Sequence, residues 1–300
     1  MRHNKNIEFC WLQDFETLKL ALKETLGASG QLMKRHFSSK ELSRNIISQT
    51  TVSLPVEFIN HGKINPEYLG PEASILKEES HYIALHKPAG IHCHPLVYDD
   101  KDTILNYLIS VNAWSALKVN EEHYDRGLLY RLDLETSGVL VLAKTQEYFE
   151  KIRSNFQTAM KRKFYWAIVK GSFDKEGIHQ HYFRGTGVKG HKQKVSDDYH
   201  PDADEGTLNV LKVMEQGEYS LVLVNLKTGL RHQIRAQLAH LGFPILGDEL
   251  YGGQASERLF LHALRYEFDE IVEDPKADLF QLFFDLDRAL QMSHDMFRRF

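Results

Sequence analysis

Arg131 and Asp133 stand two residues apart, just ahead of Thr136-Ser137-Gly138 and the apolar run Val139-Leu140-Val141-Leu142-Ala143. A short β-branched-rich run of this kind reads as a buried strand, which puts the charged pair at the rim of a sheet. A carboxylate so placed is either a structural ion-pair partner or a chemical group. On pattern alone the ion pair is the commoner explanation. A second group, His86, His92, Cys93 and His94, has residue types that bind metals. Its spacing matches no closed zinc pattern and no second ligand pair follows, so histidines at the rim of a turn are expected, and no metal. Arg231 and Arg235 lie four apart in a helical segment and are expected to share one face.

The elements around these groups can be read in chain order. Residues 11–27 have helical spacing (Trp11, Phe15, Leu18, Leu22, Leu26) and stop at Gly27. Ser38 and Glu41 form a capping-box pattern for a helix over 40–47. Residues 56–65 alternate around His61-Gly62 and suggest a short hairpin. Residues 66–79, with Gly70-Pro71, read as a linker. Then come a strand at 82–86, a helix at 102–111 behind Asp102, the central strand, and a helix at 146–160. A strand at 164–169 places Tyr165 near its entrance, where packing alone would explain it. Residues 184–206 read as a long loop, followed by strands at 207–214 and 219–226 and a helix at 231–240. A strand at 259–264 and a helix near 278–292 complete the chain. Hairpins without a βαβ rhythm predict an α+β fold with a largely antiparallel sheet. The expected division is a small helix-hairpin region at 1–74 and a larger domain at 75–300.

Bulk properties narrow the class. Three hundred residues suggests two domains, and 42% hydrophobic residues supplies ample core. No apolar stretch is long enough to span a bilayer and the N-terminus leads into no secretory apolar segment. With only Cys10 and Cys93, a reducing compartment such as the cytoplasm is expected. The net charge of −4 argues against a generic basic nucleic-acid binder. Yet residues 151–235 carry fifteen Lys/Arg against nine Asp/Glu. Such segregation lets a local groove attract phosphates from an acidic molecule, although solvated helix faces explain most charge runs.

Four ordered motifs carry a resemblance. Tyr130 to Gly138 resembles the H-R-L-D-x-x-T-S-G signature of the RluA-type pseudouridine synthase family, with Tyr130 in place of His. His86-Lys87-Pro88-Ala89-Gly90 with His94-Pro95 resembles its N-K-P-x-G…H-P segment, and Lys163-Phe164-Tyr165 its K-x-Y motif. Gly229 to Arg235, running on to Leu241 through Asp248, resembles its G-R-x-H-Q-I-R…G-x-P-I-x-G-D stretch, with Leu230-Arg231 shifting one cation by a position. The match covers about residues 75–268. It implies a pseudouridine synthase fold with a central catalytic cleft, RNA (ribosomal or transfer) as partner and no cofactor; apart from the resemblance, no membrane association and a monomer are expected. Carried over residue by residue, Asp133 becomes the nucleophile, Arg235 its clamp through two parallel bonds, and Tyr165 the ring against the uracil with a hydroxyl for proton handling. Ile234 becomes the apolar wall, and Arg131 the group that fills the space of an extruded base. Lys87, Lys163 and Arg231 become phosphate contacts, with bracing of the pocket as the other role for the two lysines. The N-terminal helices and hairpin weakly resemble a small RNA-binding module that often precedes this domain. A catalytically silent RNA-binding or ribosome-associated protein with the same fold is the alternative.

Overall fold

The computed structural model describes residues 6–59, 63–121, 123–186, 192–277 and 279–300, with the side chain of Gln157 outside the description. In the N-terminal region β1 (Asn6–Cys10) is followed by α1 (Leu18–Leu26), α2 (Gly30–His36), α3 (Ser39–Leu42) and β2 (Thr51–Pro55). β1 and β2 form a two-stranded antiparallel sheet. Hydroxyls start the helices: Thr17, Ser29 and Ser38 accept from Leu20, Leu32 and Glu41 N–H groups. The expected helix at 11–27 begins only at Leu18, because Trp11 and Phe15 pair their backbones with Gln49, Thr50 and Ile46. The capping box forms at Ser38 and Glu41, but the helix stops at Leu42. Past it, Ile46 is drawn into the bridge with Phe15. Trp11, Leu18, Leu22, Leu32, Leu54 and Phe58 close a separate small core. The hairpin expected over 56–65 is not formed as such: β2 runs into a 3₁₀ turn at Val56–Phe58, and its turn at 60–62 lies outside the described residues.

The larger part starts with β3 (Ser74–Glu78) and β4 (Tyr82–Lys87), then α4 (Ile104–Ser110) and β5 (Ser137–Ala143). Next come α5 (Gln146–Ser154), α6 (Phe156–Ala159) and β6 (Arg162–Lys170), then β7 (Gly177–Thr186), β8 (Lys192–Ser196), β9 (Asp204–Gln216) and β10 (Tyr219–Leu226). The chain ends with α7 (Gln233–His240), β11 (Leu261–Glu267), β12 (Ile271–Glu273) and α8 (Leu286–Phe297). One sheet takes the order β3-β4-β5-β11-β6-β10-β9-β7-β8, with β12 beside β11. Its pairings are antiparallel except β5 with β11. The fold is therefore α+β with a mostly antiparallel sheet.

β5 explains its own sequence. Strand side chains alternate between faces, and here Val139, Val141 and Ala143 enter one core while Leu140 and Leu142 enter another beneath α4. With both faces covered the strand needs no polar residue, and each buried Val or Leu contributes about 1.5–3 kcal/mol. Gly138 is required: its φ is +114°, and a Cβ there would lie 2.3 Å from the Ala263 carbonyl oxygen across the parallel pair.

Other departures have local causes. Thr103, not Asp102, caps α4, its hydroxyl accepting from Asn106 N–H. The helix expected at 146–160 breaks at Asn155, which leaves helical geometry with φ −133° and ψ 43°. The expected loop at 184–206 contains the end of β7 and all of β8, paired from Tyr182–Ser196 to Thr186–Lys192. Residues 187–191 between them lie outside the described residues. α7 starts at Gln233, so Arg231 precedes the helix and shares no helical face with Arg235. The helix expected at 278–292 is α8, capped by Asp285.

Candidate active site

The turn that carries Asp133 is clamped from below. Thr136 N–H donates to the Asp133 carbonyl, closing the turn. The Lys87 ammonium is fully buried and donates to the carbonyls of Pro88 (2.9 Å), Leu134 (3.1 Å) and Thr136 (2.8 Å). Burial lowers its pKa to about 8, which leaves it charged at neutral pH to make these bonds. Gly90 N–H adds a bond to Leu134, and the Cys93 thiol sits against the Leu132 backbone. Lys87 thus occupies the bracing position and has no ammonium proton left for a phosphate.

Asp133 itself is partly exposed, its side chain retaining 28% of its accessible surface. Arg235, from the first turn of α7, points its Nη1 to Asp133 Oδ2 at 3.4 Å and to Glu135 Oε2 at 3.3 Å. The two parallel bonds expected toward Asp133 go instead to Asp248, at 2.8 Å from both Nε and Nη2. The reason is burial: Asp248 is sealed from water and needs the full fork, whereas Asp133 still meets solvent. One cation therefore serves three carboxylates, and Asp248 fixes its aim.

His232 stands on the other side, its Nε2 3.9 Å from Asp133 Oδ2 and its Nδ1 3.2 Å from the Tyr251 hydroxyl. Burial lowers its pKa, against the pull of Asp133. Tyr165 enters from β6, nearly buried, with its hydroxyl bonded to that of Tyr266. Burial raises the Tyr165 pKa, which keeps the phenol protonated at neutral pH. Tyr130 stacks on Tyr266 with ring centres 4.5 Å apart and donates to the Val139 carbonyl, so the Tyr-for-His departure builds a tyrosine array. These groups line a cleft of about 910 Å³, together with Arg131, Lys163, Arg231 and Ile234. Arg131 and Arg231 are exposed and Ile234 is buried. Lys163 is largely buried, donates to the Thr228 carbonyl at 2.7 Å, and has its pKa lowered to about 8 by burial.

Glu135, His232, Asp248, Tyr251 and Tyr266 were given no role by sequence reasoning. Glu135, His232 and Asp248 lay inside matched motifs, Glu135 at a variable position of its signature; the roles of Tyr251 and Tyr266 depend on contacts between distant strands and turns. The histidines considered for metal separate: His86 pairs with buried Asp274 at 2.6 Å and His94 faces the Pro95 carbonyl. Among the described residues a different trio, His181, Asp197 and His240, brings its ligand atoms within 4.8 Å of one another. There Gln237 Nε2 donates to His181 Nδ1 at 2.9 Å and to the Gly206 carbonyl. His181 Nδ1 thus accepts from Gln237, which leaves the proton on Nε2 facing Asp197, and a ring so bonded is a neutral donor rather than a metal ligand.

A mostly antiparallel sheet with an acid-and-arginine cleft at its centre defines the class, and comparison agrees. Residues 81–240 match the family described as RNA pseudouridylate synthase, and the chain belongs to that family. Among its relatives is the ribosomal large subunit pseudouridine synthase D of Borreliella burgdorferi, 35% identical over 201 residues, covering 65% of this chain and 61% of that one. The protein of the same name in Pseudomonas aeruginosa is 32% identical over 184 residues, covering 61% of this chain and 54% of that one. The chain thus spans less than two thirds of the length of either. The fold is shared with Human RNA Pseudouridylate Synthase Domain Containing 1, with a TM-score of 0.52 and 20% identity, covering 73% of this chain and 94% of that one.

Proposed function

We propose that the protein isomerises specific uridines in RNA to pseudouridine, with Asp133 as nucleophile. The observation that carries this is the partly exposed Asp133 carboxylate, 3.4 Å from a guanidinium that Asp248 holds rigid, in a cleft also lined by Tyr165. In the reaction the bond from ribose C1′ to uracil N1 breaks and a bond from C1′ to C5 forms. The C5 proton leaves and N1 gains one, so nothing is oxidised or hydrolysed. A carboxylate is charged near neutral pH and needs orientation more than activation. The cleft supplies that orientation and an apolar wall at Ile234. Arg131, at its exposed rim, suits the space left by an extruded base. Ribosomal RNA is the substrate class favoured by the names of two relatives. The protein needs no cofactor in this scheme and acts as a monomer in the cytoplasm. Among the described residues no helix is long and apolar enough to cross a membrane.

The test is tritium release from RNA labelled at uridine C5. Wild type is expected to release tritium and Asp133→Asn to release none above background, while both bind RNA alike. Equal release by the two proteins would end the assignment of Asp133 as nucleophile, and RNA binding without release by either would favour the silent RNA-binding alternative.

A further inference from the structure

We infer that Tyr251 is a positioning residue for Asp133, acting through His232: its hydroxyl selects the imidazole tautomer that turns an N–H toward the carboxylate. This rests on the reading of Asp133 as nucleophile.

The proton positions follow from the partners. Gln193 N–H on β8 donates to the Tyr251 oxygen at 2.9 Å, which uses one of its lone pairs. The next contact of that oxygen is His232 Nδ1 at 3.2 Å, and the far side of the same ring faces the Asp133 carboxylate at 3.9 Å. A neutral imidazole has one N–H and one lone pair. A lone pair on Nε2 would be repelled by Asp133, so Nε2 carries the proton and Nδ1 accepts from Tyr251. The pKa shifts agree: burial lowers that of His232 and raises that of Tyr251, which stays a donor. The charged and titratable groups facing His232 are Asp133, Glu135, Arg231, Arg235 and Tyr251.

Two further features single this contact out. His232 has φ +54° and ψ 22°, a left-handed conformation that non-glycine residues adopt rarely, and its side chain makes no cap bond to α7. The ring is therefore directed elsewhere, to Tyr251 and Asp133. Tyr251 also ends the 3₁₀ turn Glu249–Tyr251 that directly follows Asp248. One four-residue segment thus holds the guanidinium through Asp248 and the imidazole through Tyr251, the two groups that flank Asp133. The Tyr251 ring is itself held by Lys192 and Arg235, whose charged ends lie 5.3 and 5.6 Å from its centre.

The experiment uses the full chain with ¹⁵N-labelled histidine. Long-range ¹H–¹⁵N spectra report the His232 tautomer without substrate, the signal being assigned by its loss in His232→Gln. Wild type is expected to show the Nε2–H form and Tyr251→Phe, which keeps the ring, a mixture with the Nδ1–H form. Tyr251→Phe is expected to lower kcat about tenfold with KM for RNA unchanged, and to have no further effect in a His232→Gln background. An unchanged tautomer in Tyr251→Phe, or an equal loss of kcat in both backgrounds, overturns the proposal. Failure of the parent reading is separable, since wild type and Asp133→Asn would then be equally inactive whatever the tautomer.

Discussion

At the scale of single residues, charge in the cleft is arranged by unequal burial. Arg235 gives its fork to the sealed Asp248 and a single edge to Asp133, so the partly exposed carboxylate is aimed without being neutralised. A lysine at this position keeps the charge and loses the fork. Arg235→Lys is therefore expected to lower kcat about a hundredfold, the typical cost of a misplaced group, and single-turnover kinetics on RNA would measure it. Lys163 allows a second prediction. Its folded pKa is about 8, against an ordinary 10.5. Between these values the unfolded chain binds more protons than the folded one, so this lysine makes stability rise with pH. Urea unfolding at pH 8, 9 and 10 should show a shallower rise in Lys163→Met. Asp133 and Arg235 were legible because both fall in motifs. The division of labour at Arg235 was not, since it depends on which carboxylate is sealed from water.

At the scale of elements, strand entry decides where Asp133 sits. Gly138 brings β5 against the Ala263 carbonyl, and Ser137 beside it bonds to His262 at 2.8 Å. Gly138→Ala forces the two backbones apart and adds strain at φ +114°. A loss of about 2–3 kcal/mol in chemical unfolding is expected, the order of cost for overpacking. The β5 run was plain in the sequence because a strand buried on both faces has no polar interruption. β8 escaped notice for the opposite reason: Lys192, Gln193 and Lys194 lie on or near the surface, and an exposed basic strand has the composition of a loop. The short α3 was over-extended for a third reason. Its capping box marks a start, while the stop is set by tertiary pairing of Ile46 with Phe15.

At the scale of the whole molecule, an acidic protein exposes cations along its cleft. Arg131 and Arg231 are exposed at the cleft, on opposite segments, within a chain of net charge −4. RNA affinity should fall steeply with salt, and Arg231→Ala should reduce the slope of log affinity against log salt by about 1, as expected for losing one phosphate contact. Filter binding across a salt series measures this. Arg231 was expected on the same helical face as Arg235; its place ahead of α7 instead puts it at the exposed rim of the cleft.

The lone parallel pairing in the sheet has a consequence for how the molecule comes into being. β11 lies between β5 and β6, although at least ninety residues of chain separate it from either. During synthesis the open edge of β5 must wait, unzipped, until the last forty residues of the polypeptide begin to emerge and fill the slot. A nascent chain cut short before residue 261 would hold its acid without the scaffold behind it and would expose a sticky margin to its neighbours. Such distant pairing slows assembly, so the protein acquires its cleft late, and all at once.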